Sequence, residues 1–189
     1  MALPCDVERV LISAEQIAAK VKELGARISR DYEGKDLVMV GVLKGAVVFL
    51  SDLIREITIP ICIDFVATSS YGKSSSSSGE VRILKDLDQS VESRHVLVVE
   101  DIIDTGLTLE YLLEMLRARD VASLRVVALV DKPSRRKTQA QADYLGFKIP
   151  DEFVVGYGLD YGQCYRYLPF IGVLKREVYG GGEGTRPRA

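Results

Sequence analysis

Apolar residues follow two patterns along the chain. Short runs rich in valine and leucine alternate with segments in which apolar residues recur every three or four positions. Uninterrupted apolar runs are typical of strands buried on both faces, whereas the wider spacing is typical of amphipathic helices. Their alternation predicts an α/β fold class, in which helices flank a mostly parallel central sheet and the crossovers are right-handed.

Capping and breaking residues bound the individual elements. The first helix is predicted at Ser13, because Ser13 and Gln16, three residues later, form a capping-box pattern. Gly34, Pro60 and Gly106 mark further boundaries. The predicted helices cover residues 13–32, 46–56 and 107–119. The predicted strands cover Leu37–Leu43, Ile61–Ser70, Val96–Val99, Leu124–Val130 and Phe153–Val155.

Composition narrows the classes of function. The chain has 189 residues, of which 47% are hydrophobic and 28% charged, with 27 acids against 25 bases. A chain of this size can bury a core without disulfides, and its balanced charge excludes a generic polyanion binder. It contains neither a membrane-length apolar run nor a basic start followed by an apolar core. We therefore expect a soluble, cytoplasmic protein with no membrane or nucleic-acid partner.

Cysteine and histidine limit the available chemistry. The spacing of Cys5, Cys62 and Cys164 does not suit a metal site. Cys62 lies in an apolar run, so we expect it to be a small buried residue. The single histidine, His95, disfavours a histidine-based metal centre or a Ser-His-Asp triad. Any catalysis must use carboxylates, lysines and backbone amides, together with any divalent cation.

Two segments lack the apolar residues that a core requires. The stretch from Ser69 to Gly79 contains five consecutive serines, and it is either a surface loop or a mobile lid. Residues 180–189 have no apolar content beyond alanine and are predicted to be a disordered tail. We therefore predict one domain over residues 1–179, with the mobile segment at about 69–82.

Polar groups concentrate directly after the predicted strand Val96–Val99. Glu100, Asp101 and Asp104 supply three carboxylates, and Thr105–Thr108 supplies a hydroxylated turn that opens a helix. Ligands of open α/β sheets bind at such strand ends, and the turn can hold a phosphate on its backbone N–H groups. A phosphorylated ribose fits both features, because its hydroxyls or a bound Mg²⁺ can face the acids. The competing interpretation makes Asp104 a helix N-cap and the other acids a solvated strand end.

The segment Val96–Leu109 resembles the phosphoribosyl diphosphate (PRPP) signature of type I phosphoribosyltransferases. More narrowly, the chain from about residue 7 to about residue 178 resembles the bacterial hypoxanthine-guanine phosphoribosyltransferases, and Lys132 with the block Phe153–Tyr161 carries this likeness. The resemblance implies the type I fold, with a small hood formed by the terminal segments. It also implies transfer of the phosphoribosyl group from PRPP to N9 of hypoxanthine or guanine, giving IMP or GMP and diphosphate.

The resemblance further implies a role for each site residue. Asp104 would be the general base at purine N7. Mg²⁺ would be the cofactor, held by Glu100, Asp101 and Asp160. The residues implied for PRPP and diphosphate are Leu43, Lys44, Gly45, Ser70, Tyr71, Glu100, Asp101, Asp104, Thr105, Gly106, Leu107, Thr108 and Arg166. The residues implied for the purine are Ile102, Lys132, Phe153, Val154 and Asp160.

Two of the implied features concern the backbone and the serine tract. A non-proline cis peptide bond between Leu43 and Lys44 would expose amides to the diphosphate. Ser70 and Tyr71 would belong to a lid that keeps water away from the activated sugar. The resemblance therefore favours the lid interpretation over a plain surface loop.

Alternatives remain for the identity of the base and for the class of function. Lys132 would donate to a 6-oxo group and Phe153 would stack on the base, which disfavours adenine and uracil but leaves xanthine open. Some type I relatives are RNA-binding regulators that sense PRPP. Here the dense basic cluster is confined to residues 132–137 and the net charge is −2, which disfavours that function. The family forms dimers and tetramers, so a homo-oligomer is expected.

Overall fold

The computed structural model describes residues 3–70 and 81–180, in which strands and helices alternate. The strands, in chain order, are β1 (Val7–Ile12), β2 (Leu37–Leu43), β3 (Ile61–Ser70), β4 (Val81–Lys85), β5 (His95–Ile103), β6 (Ser123–Asp131), β7 (Tyr144–Lys148), β8 (Val154–Val155) and β9 (Ile171–Leu174). The helices are α1 (Ala14–Asp31), α2 (Ala46–Leu53), α3 (Leu107–Arg117) and α4 (Arg176–Tyr179).

In this described part of the chain, a six-stranded sheet forms the centre of the molecule. Its strands lie in the order β4-β3-β2-β5-β6-β7, and all neighbours run parallel except β3 and β4. β2 and β5 are buried along most of their length, as expected for strands covered by helices on both faces. The predicted α/β class with a mostly parallel central sheet is confirmed.

Each face of the central sheet has its own core, because successive strand side chains point to opposite faces. Met39 of β2 packs in one cluster with Ile17 of α1 and Phe49 of α2. Val98 of β5 packs in another cluster with Leu112 of α3. The helices therefore hold the sheet from both sides and fix the positions of its strand ends.

The predicted start of α1 is confirmed at atomic detail. Ser13 Oγ accepts a hydrogen bond from the Gln16 N–H at 3.3 Å, and Gln16 Oε1 accepts one from the Ser13 N–H at 2.8 Å. These two bonds form the capping box that the sequence pattern predicts. No helix among the described residues is long and apolar enough to cross a lipid bilayer.

A second, antiparallel sheet forms the implied hood. Within the described residues it contains three strands in the order β1-β9-β8, with Val7 opposite Leu174 and Val154 opposite Val173. β1 comes from the start of the chain and β9 from its last third, so segments near both ends build this sheet. The strand predicted at Phe153–Val155 is therefore shorter than expected and belongs to the hood rather than to the central sheet.

The prediction that Cys62 is buried is wrong. Cys62 is exposed, and the next residue, Ile63, is 49% exposed. Among the residues that the structure describes, β4 pairs only with Ala67–Ser70, and no other strand covers that edge of the first half of β3. An apolar run therefore marks a strand here without marking a buried strand.

Two predicted segments fall largely outside the described residues. Residues 71–80, which contain the serine run and Tyr71, form most of the predicted lid. Residues 181–189 form most of the predicted tail. The predictions for both segments stay predictions.

Candidate functional site

The carboxyl ends of three neighbouring strands of the central sheet form one site. β5 lies between β2 and β6, and Ile103 at its end pairs with Asp131 at the end of β6. The residues that follow these strands, Lys44, Asp104 and Lys132, therefore come close together although they are far apart in sequence. β5 extends beyond the predicted Val96–Val99 and carries the acidic pair within the strand.

Glu100 and Asp101 are two adjacent carboxylates in a place with little water. Glu100 is 7% exposed and Asp101 is half-buried. Burial, followed by the negative charge of Asp101, raises the pKa of Glu100 well above its ordinary value. Burial also raises the pKa of Asp101, against the lowering effect of the Ile102 N–H, which donates to Asp101 Oδ1 at 2.9 Å, and of the Arg166 charge. A bound cation would stabilise the charged form of this pair.

Gly45 makes room for Asp101. A Cβ atom at Gly45 would overlap Oδ2 of the Asp101 carboxylate. The peptide bond between the two residues that precede Gly45, Leu43 and Lys44, is cis, as the resemblance implied. The turn after β2 therefore lies directly against the acidic pair of β5.

The turn after β5 has the geometry of an anion site. α3 begins at Leu107, whose N–H lies 3.5 Å from Thr105 Oγ1, and Gly106 adopts a left-handed φ of 85°. A cavity of about 230 Å³ opens above this turn. Its lining residues are Val42, Glu100, Ile102, Ile103, Asp104, Thr105, Gly106, Thr108 and Leu109.

Asp104 is not the N-cap of α3. Gly106 occupies the N-cap position, and it has no side chain that could accept a hydrogen bond from the first turn of α3. Instead, Asp104 Oδ1 accepts a hydrogen bond from Arg135 Nε at 2.8 Å, and Arg135 also lies 3.8 Å from Asp151. The competing interpretation of Asp104 as a helix cap is therefore wrong, and its carboxylate is available beside the cavity.

A second cavity of about 230 Å³ lies on the other side of Asp104. All five residues that the resemblance implied for the purine line this cavity. Its lining residues are Asp101, Ile102, Asp104, Lys132, Phe153, Val154, Leu159 and Asp160. The central sheet thus provides one wall of this cavity, and the start of the hood provides another.

Lys132 is the buried cation of the second cavity. It is 7% exposed, and its backbone N–H donates to the Ile103 carbonyl at 3.0 Å, which ties the segment after β6 to β5. Burial lowers the pKa of Lys132, and the nearby charge of Asp104 opposes that shift. A partly desolvated ammonium of this kind is a strong donor to a ligand oxygen.

Arg166 connects the hood to the acidic pair. Its Nη2 lies 2.8 Å from Asp160 Oδ1, and its Nη1 donates to the Gly158 carbonyl at 2.6 Å. Gln163 joins this network, because its Oε1 accepts from Lys44 Nζ at 3.2 Å and its N–H donates to Asp160 Oδ2 at 2.8 Å. Lys44, Asp160 and Arg166 are therefore linked in one network through Gln163 and through the Arg166–Asp160 ion pair.

Phe153 belongs to a cluster of aromatic rings. It stacks on Tyr179 with ring centroids 4.8 Å apart and planes 22° apart, and it meets the edge of Tyr161 at 5.6 Å and 90°. One predicted residue, Tyr71, lies outside the described residues, and for Ser70 only the backbone is described. Of the other predicted site residues, Leu43, Gly45 and Leu107 lie next to site residues in the chain, and the rest line the two cavities or belong to the network at Arg166.

Several residues of the site were missed from the sequence. They are Arg135, Leu159, Gln163 and Tyr179, together with the apolar residues Val42, Ile103 and Leu109 that line the first cavity. Leu159 carries no chemical signal, and Gln163 lies in a turn where glutamine is unremarkable. Arg135 belongs to the basic cluster 132–137, whose charges could have been compared with the acids of β5. Tyr179 could have been suspected because an aromatic residue interrupts a polar end of the chain.

A mostly parallel central sheet, a small antiparallel hood and a strand that carries two acids and leads into a hydroxylated turn are the features of the phosphoribosyltransferase class. The chain belongs to the phosphoribosyltransferase family, because the family model described as phosphoribosyl transferase domain matches residues 11–162. The sequence-based recognition of the family and of the transferase class is confirmed.

Similar proteins narrow the class further. The chain is 56% identical to the hypoxanthine-guanine phosphoribosyltransferase of Bacillus subtilis over 174 residues, which is 92% of this chain and 97% of that protein. It matches the crystal structure of a hypoxanthine phosphoribosyltransferase from Staphylococcus aureus with a TM-score of 0.89 at 54% identity, covering 92% of this chain and 95% of that one. A hypoxanthine-guanine phosphoribosyltransferase from Bacillus anthracis gives a TM-score of 0.85 at 48% identity, covering 89% and 99%.

Proposed function

We propose that this protein transfers the phosphoribosyl group of PRPP to N9 of hypoxanthine or guanine, giving IMP or GMP and diphosphate, in purine salvage. One observation carries the proposal: the two cavities share Ile102 and Asp104 at the end of β5. A sugar phosphate on the turn and a purine beside Lys132 would therefore meet at that point. The name of the Bacillus subtilis protein contains both hypoxanthine and guanine, and that of the Staphylococcus aureus structure contains hypoxanthine, which supports these two bases as substrates.

The sugar phosphate is the first ligand to assign. Thr105–Thr108 would hold the 5′-phosphate through backbone N–H groups and hydroxyls at the start of α3. Glu100 and Asp101 would accept hydrogen bonds from the 2′ and 3′ hydroxyls of the ribose. The buried position of Glu100 supports this role, since a sugar hydroxyl would replace the water that its carboxylate lacks.

Asp104 is proposed as the general base. It borders both cavities, so its carboxylate can reach purine N7 while N9 bonds to C1′ and diphosphate leaves. Arg135 contacts Oδ1 and would leave Oδ2 to face the purine. The negative charge also balances the positive charge that develops on the ribose ring.

Mg²⁺ is proposed as the cofactor, and the acidic pair fits it. Among the described residues no three His, Cys, Asp or Glu side chains form a metal cage. Mg²⁺ characteristically takes one or two carboxylates together with substrate phosphates. Glu100 and Asp101 would hold it, with Asp160 contributing through water. It would supply positive charge that offsets the charge of the departing diphosphate.

Lys132 and Phe153 are proposed to select the base. Lys132 would donate to the 6-oxo group of hypoxanthine or guanine, whereas the 6-amino group of adenine would present a second donor. Phe153 would stack on the purine, with Ile102 and Val154 contacting its edges. The burial of Lys132 supports strong discrimination, because an unsatisfied donor is costly there.

The diphosphate is proposed to bind at the turn after β2. Leu43, Lys44 and Gly45 would offer backbone amides, and Arg166 would neutralise negative charge. The hydrogen bond from Lys44 to Gln163 would hold this turn near the arginine. Ser70 and Tyr71 would close over it as part of the lid at about 69–82.

The alternative of an RNA-binding regulator loses support from the basic cluster 132–137. Lys132 is buried, Arg135 pairs with Asp104, and Arg136 Nη2 pairs with Asp131 Oδ1. These charges are already committed within the protein, so they do not form a free surface for phosphate backbones.

Steady-state kinetics with hypoxanthine, guanine, xanthine and adenine, each with PRPP and with or without Mg²⁺, would test the proposal. We expect Mg²⁺-dependent formation of IMP and GMP and little use of adenine. Preference for xanthine would replace the substrate assignment. Absence of PRPP-dependent transfer to any purine would refute the proposed function. Unchanged rates after chelation of Mg²⁺ would refute its proposed role as cofactor.

We also propose a cytoplasmic enzyme with one domain over residues 1–179 that assembles as a homodimer or homotetramer. Light scattering coupled to gel filtration would measure the mass in solution. A mass near 20.9 kDa, that of one chain, would refute the assembly.

A further inference from the structure

The ring of Phe153 is held by two other aromatic residues. Tyr179 covers one face as a stacked pair at 4.8 Å, and Tyr161 meets it edge-on at 5.6 Å. Both arrangements are among those that aromatic pairs prefer. The orientation of Phe153 is therefore set by these neighbours as well as by its own backbone.

Tyr179 approaches Phe153 from outside the second cavity. Phe153 lines that cavity with Lys132 and Asp160, whereas Tyr179 is absent from the residues of the described chain that line it. A ring has two faces, so a purine can stack on the cavity side while Tyr179 occupies the other side. The purine, Phe153 and Tyr179 would then form one continuous stack.

The position of Tyr179 is fixed by the short helix α4. Val178, its neighbour, is buried in the cluster that also contains Val155 of β8. Tyr161 Oη donates to the Val178 carbonyl at 3.2 Å, so the same tyrosine contacts both Phe153 and α4. Although Tyr179 is 37% exposed, its backbone is held against the hood.

We infer that Tyr179 is a positioning residue that holds the Phe153 ring in the orientation required for stacking on the purine. This inference rests on the proposed function, in which Phe153 contacts the base. A platform that is held in place before binding loses less side-chain freedom when the base arrives. Tyr179 therefore contributes to purine affinity without contacting the purine.

The size of the effect follows from the stacking energy. Aromatic pairs contribute, beyond their buried area, a free energy that corresponds to about a two- to tenfold change in a binding constant. The aromatic ring provides this contribution, so the phenol hydroxyl is not needed for it. PRPP should be little affected, because its proposed ligands lie on β5, on the turns after β2 and β5 and at Arg166, whereas Tyr179 stacks on Phe153.

The test compares Tyr179→Leu, Tyr179→Phe and a matched control, Tyr111→Leu. Tyr111 lies on α3 and is 38% exposed, almost the same as Tyr179. For Tyr179→Leu we expect the KM for hypoxanthine to rise about two- to tenfold, with kcat and the KM for PRPP changed less than twofold. Tyr179→Phe and Tyr111→Leu should both match the wild type.

Each other outcome is decisive. An unchanged KM for hypoxanthine in Tyr179→Leu would overturn the inference, and a lowered one would mean that Tyr179 obstructs the base. An equal rise in the KM for PRPP would indicate general loosening of the fold, which also overturns it. If the wild-type protein shows no transfer activity, the proposed function itself is refuted. The wild-type assay gives that result before any variant is measured.

Discussion

Gly45 shows at the scale of single residues how the site depends on a missing side chain. Its Cα lies so close to Asp101 that a methyl group would overlap the carboxylate. The glycine is needed here for a close approach and not for a positive φ. A side chain at residue 45 would therefore force the Asp101 carboxylate or the turn after β2 to shift.

Gly45→Ala should displace the carboxylate of Asp101 or the turn itself. We expect kcat/KM for PRPP to fall by about 10²-fold, because displacements of about 1 Å in a catalytic site have effects of that size. Gly34→Asn is the control, since Gly34 has open space around it and asparagine tolerates its φ of 72°. Full activity of Gly45→Ala would show that Asp101 has no positional role.

Asp104→Asn tests the proposed general base. The amide keeps the shape of the carboxylate but has far lower basicity, so kcat should fall by about 10²–10⁴-fold while PRPP binding is retained. Asp151→Asn is the matched control, because Asp151 also lies near Arg135 but does not line the cavities. Normal kcat with weakened PRPP binding would contradict the assignment.

Lys132→Gln tests the discrimination between purines. The glutamine carbonyl can accept from the 6-amino group of adenine, so the ratio of kcat/KM for hypoxanthine to that for adenine should fall by at least about tenfold. Lys137→Gln, an exposed position in the same basic cluster, should leave the ratio unchanged. Undiminished rejection of adenine by Lys132→Gln would argue that another group reads the 6 position.

At the scale of elements, contact between α1 and the turn after α2 outweighs helix propensity. Gly25 lies in the middle of α1, where alanine would ordinarily be favoured by about 1 kcal/mol. A Cβ there would lie 2.5 Å from Glu56 Cβ and 2.8 Å from the Glu56 carbonyl oxygen. The two elements are further joined by Ser29 Oγ, which donates to the Gly25 carbonyl at 2.8 Å and accepts from the Thr58 N–H at 3.0 Å.

Gly25→Ala should therefore destabilise the protein, the opposite of what propensity predicts. We expect the free energy of unfolding in urea to fall by about 1–3 kcal/mol, as for other overpacked sites. Ala26→Gly, at the exposed neighbouring position, should cost about 1 kcal/mol through propensity alone. A stabilised Gly25→Ala variant would mean that α1 moves away from Glu56 without cost.

The elements also differ in how well their sequences predict them. α1 and β2 carry complete local signals, namely a capping box and an apolar run. β1, β4, β7 and β9 were missed because they are short and depend on pairing with other strands, such as Val7 opposite Leu174. Local patterns carry no information about such pairings, whose stability comes from the cross-strand contacts themselves.

At the scale of the whole molecule, the predictable part of the site is the part on the central sheet. The acids and the hydroxylated turn follow one strand in sequence, so their chemistry can be inferred without knowing the fold. Gln163 and Tyr179 reach the site because the hood brings the last third of the chain back beside the central sheet. Their contacts with Lys44 and Phe153 arise from the fold and correspond to no sequence pattern.

The two cavities that meet at Asp104 have walls of different origin. The first cavity is lined by β2, β5, the turn after β5 and the start of α3, whereas the second cavity also takes Phe153, Val154, Leu159 and Asp160 from the hood and the segments beside it. The wall that the hood side contributes to the second cavity therefore comes from one short stretch of the chain. A protein engineer could vary Phe153, Val154 and Leu159 together without replacing any residue that lines the first cavity.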